Sequence, residues 1–364
     1  MAVMNVLMPV AGLIKARFRG AKADIDSPFF KLHYRTTATI MFISCILVTC
    51  NDFFGSTINC ISNTIPGNVM NTYCWIMSTF TVPSLNAAGH GKEYAHQGVQ
   101  NYIPGETPKT HHAYYQWVPF VLFLQGVLFY FPHYLWKVFE DRKLDKITKD
   151  LRGRTLSLEQ RSKQCDDLIR YIDETFHTHN FYAFKYFMCD FINLINVIVQ
   201  MYIINSFLGG VFMAYGTDVL AWSEADPETR TDPLQEVFPR ITKCEFMIYG
   251  RSGTIERHDA MCLLALNIIN EKIFIFMWFW FIFLAVVTSL YMLYVIAVIS
   301  IPSMRKYMLE RNSKNLHTDT DMNILTDKAE MGDWFLIFLL SRNLDSVLFN
   351  DFIIRLAERL KNKA

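Results

Sequence analysis

Tyr114-Tyr115-Gln116-Trp117-Val118-Pro119-Phe120-Val121-Leu122-Phe123-Leu124, running on to His133-Tyr134-Leu135-Trp136, is the stretch that decides the fold. From Tyr114 to Trp136 it holds 23 residues without a formal charge. A helix rising ~1.5 Å per residue needs an apolar run of ~20 residues to cross ~30 Å of hydrocarbon. Tyr and Trp crowd both ends, where amphipathic rings settle at the headgroup level, and Lys137 follows. A buried helix of a soluble core seldom runs this long without a polar face. The stretch reads as a membrane span.

Three further uncharged runs extend the pattern outward. Thr36 to Asn51 is the shortest and most polar, with Thr36, Thr37, Thr39, Ser44, Thr49 and Asn51. Such a helix needs one side on water or on neighbouring helices. A third run, from about Phe184 to Phe207, carries Asp190, Asn193, Asn196, Gln200 and Asn205. Those groups read either as interhelical hydrogen-bonding partners or as the wall of a wet conduit. The fourth, Ile273 to Met304, has no charge over 32 residues. The uncharged Ile65 to Leu85 is not a span, because Pro66, Gly67 and Pro83 and many polar residues break it.

Net charge is +1, which gives no global attraction to nucleic acid, but the distribution is informative. Lys and Arg number six in residues 1 to 35, ten in 137 to 182 and ten in 303 to 364, against two in 52 to 113 and five in 209 to 270. By the positive-inside rule both termini and the middle loop are cytoplasmic. The expected class is an all-α polytopic membrane protein with four transmembrane helices, disulfide-braced extracellular loops and a helical cytoplasmic domain. Its segments are 1–35 (N-terminal, cytoplasmic), 36–54 (first span), 55–113 (first outer loop), 114–136 (second span) and 137–183 (cytoplasmic loop). Then follow 184–207 (third span), 208–272 (second outer loop), 273–302 (fourth span) and 303–364 (cytoplasmic, helical).

Met1 to Gly20 places its apolar part before Lys15, Arg17 and Arg19, the reverse of a secretory signal, so no cleavage is expected. Its apolar residues recur at helical spacing, which reads as a helix lying on the membrane surface. Cys45, Cys50, Cys165 and Cys189 fall in membrane or cytoplasm and should stay reduced. Cys60 and Cys74 in the first outer loop, and Cys244 and Cys262 in the second, face the oxidising side; the three pairings are equally open. Pairs between the loops would clamp two strand-poor segments into one cap. No Asn-x-Ser/Thr sequon occurs, so no glycan bars another protein from these loops.

No phosphate-binding loop, nucleophile elbow, HExxH or CxxC is present, so neither an enzyme nor a cofactor is expected. His90, His96, His111 and His112 lack zinc-site spacing and read as solvated, with no metal; His177-Thr178-His179 reads as cytoplasmic surface. In the 137–183 loop, nine acidic residues from Glu140 to Glu174 nearly cancel the basic ones, against nucleic-acid binding.

Tyr114-Tyr115-Gln116-Trp117, together with Pro239-Arg240-Ile241-Thr242-Lys243-Cys244, Asn267-Ile268-Ile269-Asn270-Glu271-Lys272 and Gly332-Asp333-Trp334, resembles the innexins, the gap-junction proteins of invertebrates. The resemblance covers essentially the whole chain. It implies a ring, typically of eight subunits, that docks onto a ring in the adjacent cell and passes ions and small molecules between cells. It further implies pairing of Cys60 with Cys262 and of Cys74 with Cys244. By the same resemblance the segment from Met1 folds into the pore as a funnel, against the surface-helix reading. Met1, Ala2, Val3, Asn5, Asp52 and Phe53 are then candidate pore-lining residues. The implied partners are further copies of the chain, an opposing hemichannel, other innexin subunits and membrane lipids, at the plasma membrane in cell junctions. An unpaired large-pore hemichannel releasing metabolites such as ATP is the alternative, and an adhesion protein without a pore a third.

Overall fold

A computed structural model describes residues 23–82, 96–100, 102–103, 106–149, 151, 158–224, 232–313 and 319–362. Four of its helices are long and apolar enough to cross a membrane: α1 Pro28–Phe53, α3 Val118–Glu140, α6 Asn180–Phe207 and α9 Leu266–Ser300. Together they make the chain a mostly helical membrane protein. Helix α1 begins where the serine-proline pair dictates. Ser27 Oγ accepts the Phe30 N–H at 3.0 Å, and Pro28 sits at the first helical position, where its missing N–H is not needed. The uncharged run alone was short for a crossing; with the residues from Pro28 the helix measures ~39 Å. A π-helical turn, Leu32–Thr37, interrupts it, and Thr37 Oγ1 donates to the Leu32 carbonyl at 3.0 Å inside that turn.

The chain divides into two compact units. One is drawn from residues 32–131 and 192–289. Besides parts of the spans it contains α2 Gly67–Met77, α7 Phe212–Glu224, the short α8 Pro233–Val237 and a five-stranded antiparallel sheet. The strands are β1 Asn59–Ile61, β2 Thr79–Thr81, β3 Thr110–His112, β4 Ile241–Tyr249 and β5 Ile255–Leu263, in the order β1-β5-β4-β2-β3. This corrects the expectation of strand-poor loops. Ile241–Tyr249 is rich in β-branched and aromatic residues, and Gly253, at φ +81°, lets the chain turn back from Gly250 to Thr254. Nine residue pairs join β4 to β5, whereas β1 adds three and β2 touches β4 only at Phe80–Lys243. The sheet therefore interleaves two segments that lie far apart in sequence.

The other unit takes residues up to Lys31, Pro132–Phe191 and Leu290 onward. Its own helices are α4 Lys143–Thr148, α5 Leu158–Glu174, α10 Pro302–Ser313, α11 Asp319–Lys328, α12 Met331–Asn343 and α13 Ser346–Asn362. Helix α5 buries Cys165, Leu168, Ile169 and Ile172 at helical spacing, and α13 buries Phe349, Phe352, Ile353, Leu356 and Leu360. Arg355 of α13 meets Asp166 of α5 at 3.0 Å. Helix α12 is apolar on every side because it is the unit's centre: Trp334, Phe335, Leu336, Ile337, Leu339 and Leu340 are all buried.

At the start of α12 the expectation of surface histidines fails for one of the pair. His177 is exposed, but His179 is buried, with Nδ1 2.8 Å from Asp333 Oδ1; Asp333 also accepts the His177 N–H at 2.9 Å. Gly332 makes this contact close. It donates to Asn180 Oδ1 at 2.9 Å, and a Cβ there would lie 2.1 Å from the His179 backbone carbon. Gly332→Ala is therefore expected to force α12 off the start of α6 and to cost about 3 kcal/mol or more, since backbone cannot give way as a side chain can. Thermal unfolding in detergent measures it; a loss under about 1 kcal/mol would show the joint to be slack.

Candidate functional site

The cysteines of the two inter-span segments meet inside the sheet unit. Cys60 is bonded to Cys262, its direct cross-strand neighbour, and Cys74 of α2 to Cys244 of β4. Both bonds sit in a small core with Ile58, Met70, Ala260 and Leu264. The sulfurs of Cys60, Cys74 and Cys262 lie within 4.8 Å of one another, but as disulfides they have no thiolate for a metal. Cys45, Cys50, Cys165 and Cys189 are unpaired.

The aromatic run before α3 fastens this core. Residues Tyr114–Gln116 form a 3₁₀ turn. Tyr115 is fully buried, stacks on Trp75 at 4.7 Å and donates to the Cys74 carbonyl at 3.3 Å; Gln116 Nε2 donates to the Trp75 carbonyl. Two residues of the run thus cap α2 at its disulfide. Burial pushes the Tyr115 hydroxyl up to about 12, so it stays a donor at neutral pH. Tyr114 packs edge-on to Phe238 at 5.5 Å, whereas Trp117 is exposed.

The sequence reading did not find the polar clasp on the other side. Glu271, at the start of α9, is wholly buried and accepts from Arg240 Nε at 3.1 Å and Nη2 at 2.7 Å, with Lys272 Nζ at 2.6 Å. Asn267 donates to the Pro239 carbonyl at 2.7 Å. These residues belong to the two segments already singled out before Cys244 and after Leu266, and their shared charge and amide content was the only available signal. A second cluster braces the sheet edge. Lys109 Nζ lies 3.9 Å from the Tyr102 ring centre and 3.3 Å from Glu245, and Lys243 pairs with Asp259. Burial, with Glu245 as hydrogen-bond partner and nearby charge, raises the Tyr102 hydroxyl to about 12.

The loop histidines do not all stay in solvent. His111 is exposed and His96 half-buried, but His112 is buried in β3 with Nε2 2.7 Å from Thr81 Oγ1; His90 lies outside the described residues. Burial, aided by His111 beside it, lowers His112 from 6.5 to about 4. The folded protein thus holds the ring neutral while the unfolded chain protonates it. Its contribution is complete above pH 6.5 and is lost as pH falls toward 4, by about 3 kcal/mol. Unfolding midpoints of the wild type and His112→Gln should converge in that window; parallel curves would remove His112 from the account.

The spans divide their polar residues by face. On α6, Asp190, Asn193 and Gln200 are buried, and Asp190 accepts from the Tyr291 hydroxyl of α9 at 3.3 Å. Gln200 donates only within its own helix, to Asn196 at 3.2 Å, and the Asn193 amide has no hydrogen-bond partner among the described residues, so the interhelical reading is met at Asp190 and not at the deeper amides. On α1, Thr37 and Ser44 are buried, with Trp280 Nε1 donating to Thr37 Oγ1 at 3.0 Å, while Thr36 and Thr39 are exposed. Asp52 is half-buried, and Phe53 is 79% exposed at the end of this helix. Met1, Ala2, Val3 and Asn5 lie outside the described residues.

Comparison with known proteins fits this architecture. The innexin family profile matches residues 26–360. The chain is 43% identical to "Innexin inx3" of Drosophila melanogaster, covering 98% of this chain and 90% of that one. It is 39% identical to "Innexin inx2" of Schistocerca americana, over 98% and 99%. It is 40% identical to "Innexin shaking-B" of Drosophila melanogaster, over 94% of each. With four spans, two disulfides joining its inter-span segments and this degree of identity along nearly its whole length, the chain belongs to the innexin family, and is a gap-junction channel subunit in the membrane.

Proposed function

We propose that eight copies of this chain, alone or mixed with other innexin subunits, form a ring in the plasma membrane, and that two rings in adjacent cells dock into one conduit for ions and small molecules. In this reading the five-stranded sheet and the disulfide-bonded segments that form it are extracellular and both termini are cytoplasmic. Two independent signals support the orientation: the disulfides, which need an oxidising compartment, and the concentration of Lys and Arg in the remaining segments. The carrying observation is the doubly bonded sheet, which turns two long segments into one rigid cap. Its hairpin projects past the flanking strands and exposes Met247, Tyr249 and Ile255. A fixed surface of this kind suits repeated docking against a copy of itself, because little is lost in ordering loops.

Helix α1 and the residues from Met1, Ala2, Val3 and Asn5 line the path, with Asp52 and Phe53 at its outer end. Membrane lipids cover the apolar faces of the other spans. No nucleic acid, metal or cofactor takes part, and the chain is not an enzyme. Dual-cell recording from paired cells expressing only this chain is the decisive test. A junctional conductance is expected; current in single cells without junctional current would favour unpaired hemichannels, and no current in either would favour adhesion.

A further inference from the structure

One exposed charge on the first span is not used by the function above. In the π turn Leu32–Thr37, His33 and Thr37 are buried and tied to α9, His33 Nε2 to Thr288 Oγ1 at 2.9 Å and Thr37 to Trp280. Those two anchors hold the turn in one orientation, so Arg35 and Thr36 emerge on its exposed side. The same exposed face continues through Thr39, Ile43, Ile46, Leu47 and Cys50. In their middle turns the exposed faces of α3, α6 and α9 are built instead from residues such as Phe123, Val127, Ile195, Ile198 and Phe283, apart from Ser289.

The least oily exposed surface of the four spans therefore belongs to α1. No described residue forms an ion pair with Arg35. It lies about 10 Å along the helix from Pro28. On a lipid-facing side of the span a guanidinium must snorkel or thin the bilayer, whereas beside water it keeps its hydration.

Resting on the ring reading proposed above, the geometry points to Arg35 as a selectivity-determining residue. One Arg35 from each subunit forms a positive ring around the inner part of the path. A ring of arginines favours anions and holds back cations, divalent ones most strongly. The stripe beyond it, from Thr39 to Cys50, is uncharged and leaves that preference in place.

Paired cells loaded with concentrated KCl on one side and dilute KCl on the other test it through the reversal potential of the junctional current. The wild type is expected to reverse on the chloride side. Arg35→Lys should keep that preference, Arg35→Gln should abolish it, and Arg35→Glu should lower the chloride-to-potassium permeability ratio by roughly tenfold or more, equivalent to about 1.4 kcal/mol at the ring. Should Arg35→Glu not reach the surface, Arg35→Cys treated with negatively or positively charged methanethiosulfonate reads the same charge, with the wild type and its Cys50 treated in parallel. Opposite shifts for the two reagents support the ring. Unchanged reversal in conducting variants overturns the role of Arg35 while the channel reading stands; a wild type that carries no current, either between paired cells or in single cells, overturns the ring itself.

Discussion

Serine at any one of Cys60, Cys74, Cys244 or Cys262 is expected to abolish cell-to-cell current while the chain still inserts and reaches the surface. The bonds close segments of 202 and 170 residues. In the chain-entropy account the first bond to form stabilises by on the order of 5 kcal/mol. Once it exists, the second closes only the short stretches from Cys60 to Cys74 and from Cys244 to Cys262, a loop of roughly 30 residues worth about 4 kcal/mol. These are upper bounds, because inserted spans stay helical and the reference chain is already confined. Losing either bond still removes a large share of a domain's typical 5–15 kcal/mol, and it falls on the cap alone. The spans keep their backbone hydrogen bonds and their place in the bilayer. Surface biotinylation beside dual-cell recording separates the two effects, and normal junctional current in the quadruple-serine variant would refute the expectation.

The second large effect belongs to Arg240. Removing it by Arg240→Ala leaves the Glu271 carboxylate buried with Lys272 as its remaining cation. Breaking a buried pair from one side costs about 3–5 kcal/mol. Because the Arg240 side chain is 36% exposed, solvent screens part of this, and about 2–4 kcal/mol is expected. Arg240→Met with Glu271→Leu should recover most of the loss, since it removes both charges together. Thermal unfolding of the single and double variants in detergent completes the cycle. A cost below about 0.5 kcal/mol for Arg240→Ala would demote the pair to a surface contact.

Span content was legible in the sequence because the bilayer demands ~20 apolar residues in a row, a signal read without tertiary information. The start of the first span was not: counting from the nearest charge stopped at Arg35, although Ser27-Pro28 announces a helix start eight residues earlier. The hairpin was legible in principle, from two β-prone runs flanking Gly250 and Gly253, but the cysteines drew the reading toward irregular loops. Contacts such as Arg240 to Glu271 and His179 to Asp333 were out of reach. They join residues 31 and 154 apart, and only the assembled fold brings them into register. Polarity on the first span could be counted, yet whether Thr37 or Thr36 faces inward depends on the π turn, which breaks the period such readings assume.

The interleaved sheet also dictates an order of events during synthesis. Strand β5 lies between β1 and β4, so β1 has no neighbour until residues near 262 have been made. At ~5–20 residues per second, Cys60 and Cys74 wait roughly ten to forty seconds as nascent thiols before Cys244 and Cys262 arrive. During that interval each is the other's nearest thiol in sequence, and exchange with an oxidised dithiol catalyst of the compartment, which takes up the two electrons, can join them. A premature bond between them would have to be undone by thiol–disulfide exchange before the sheet could close.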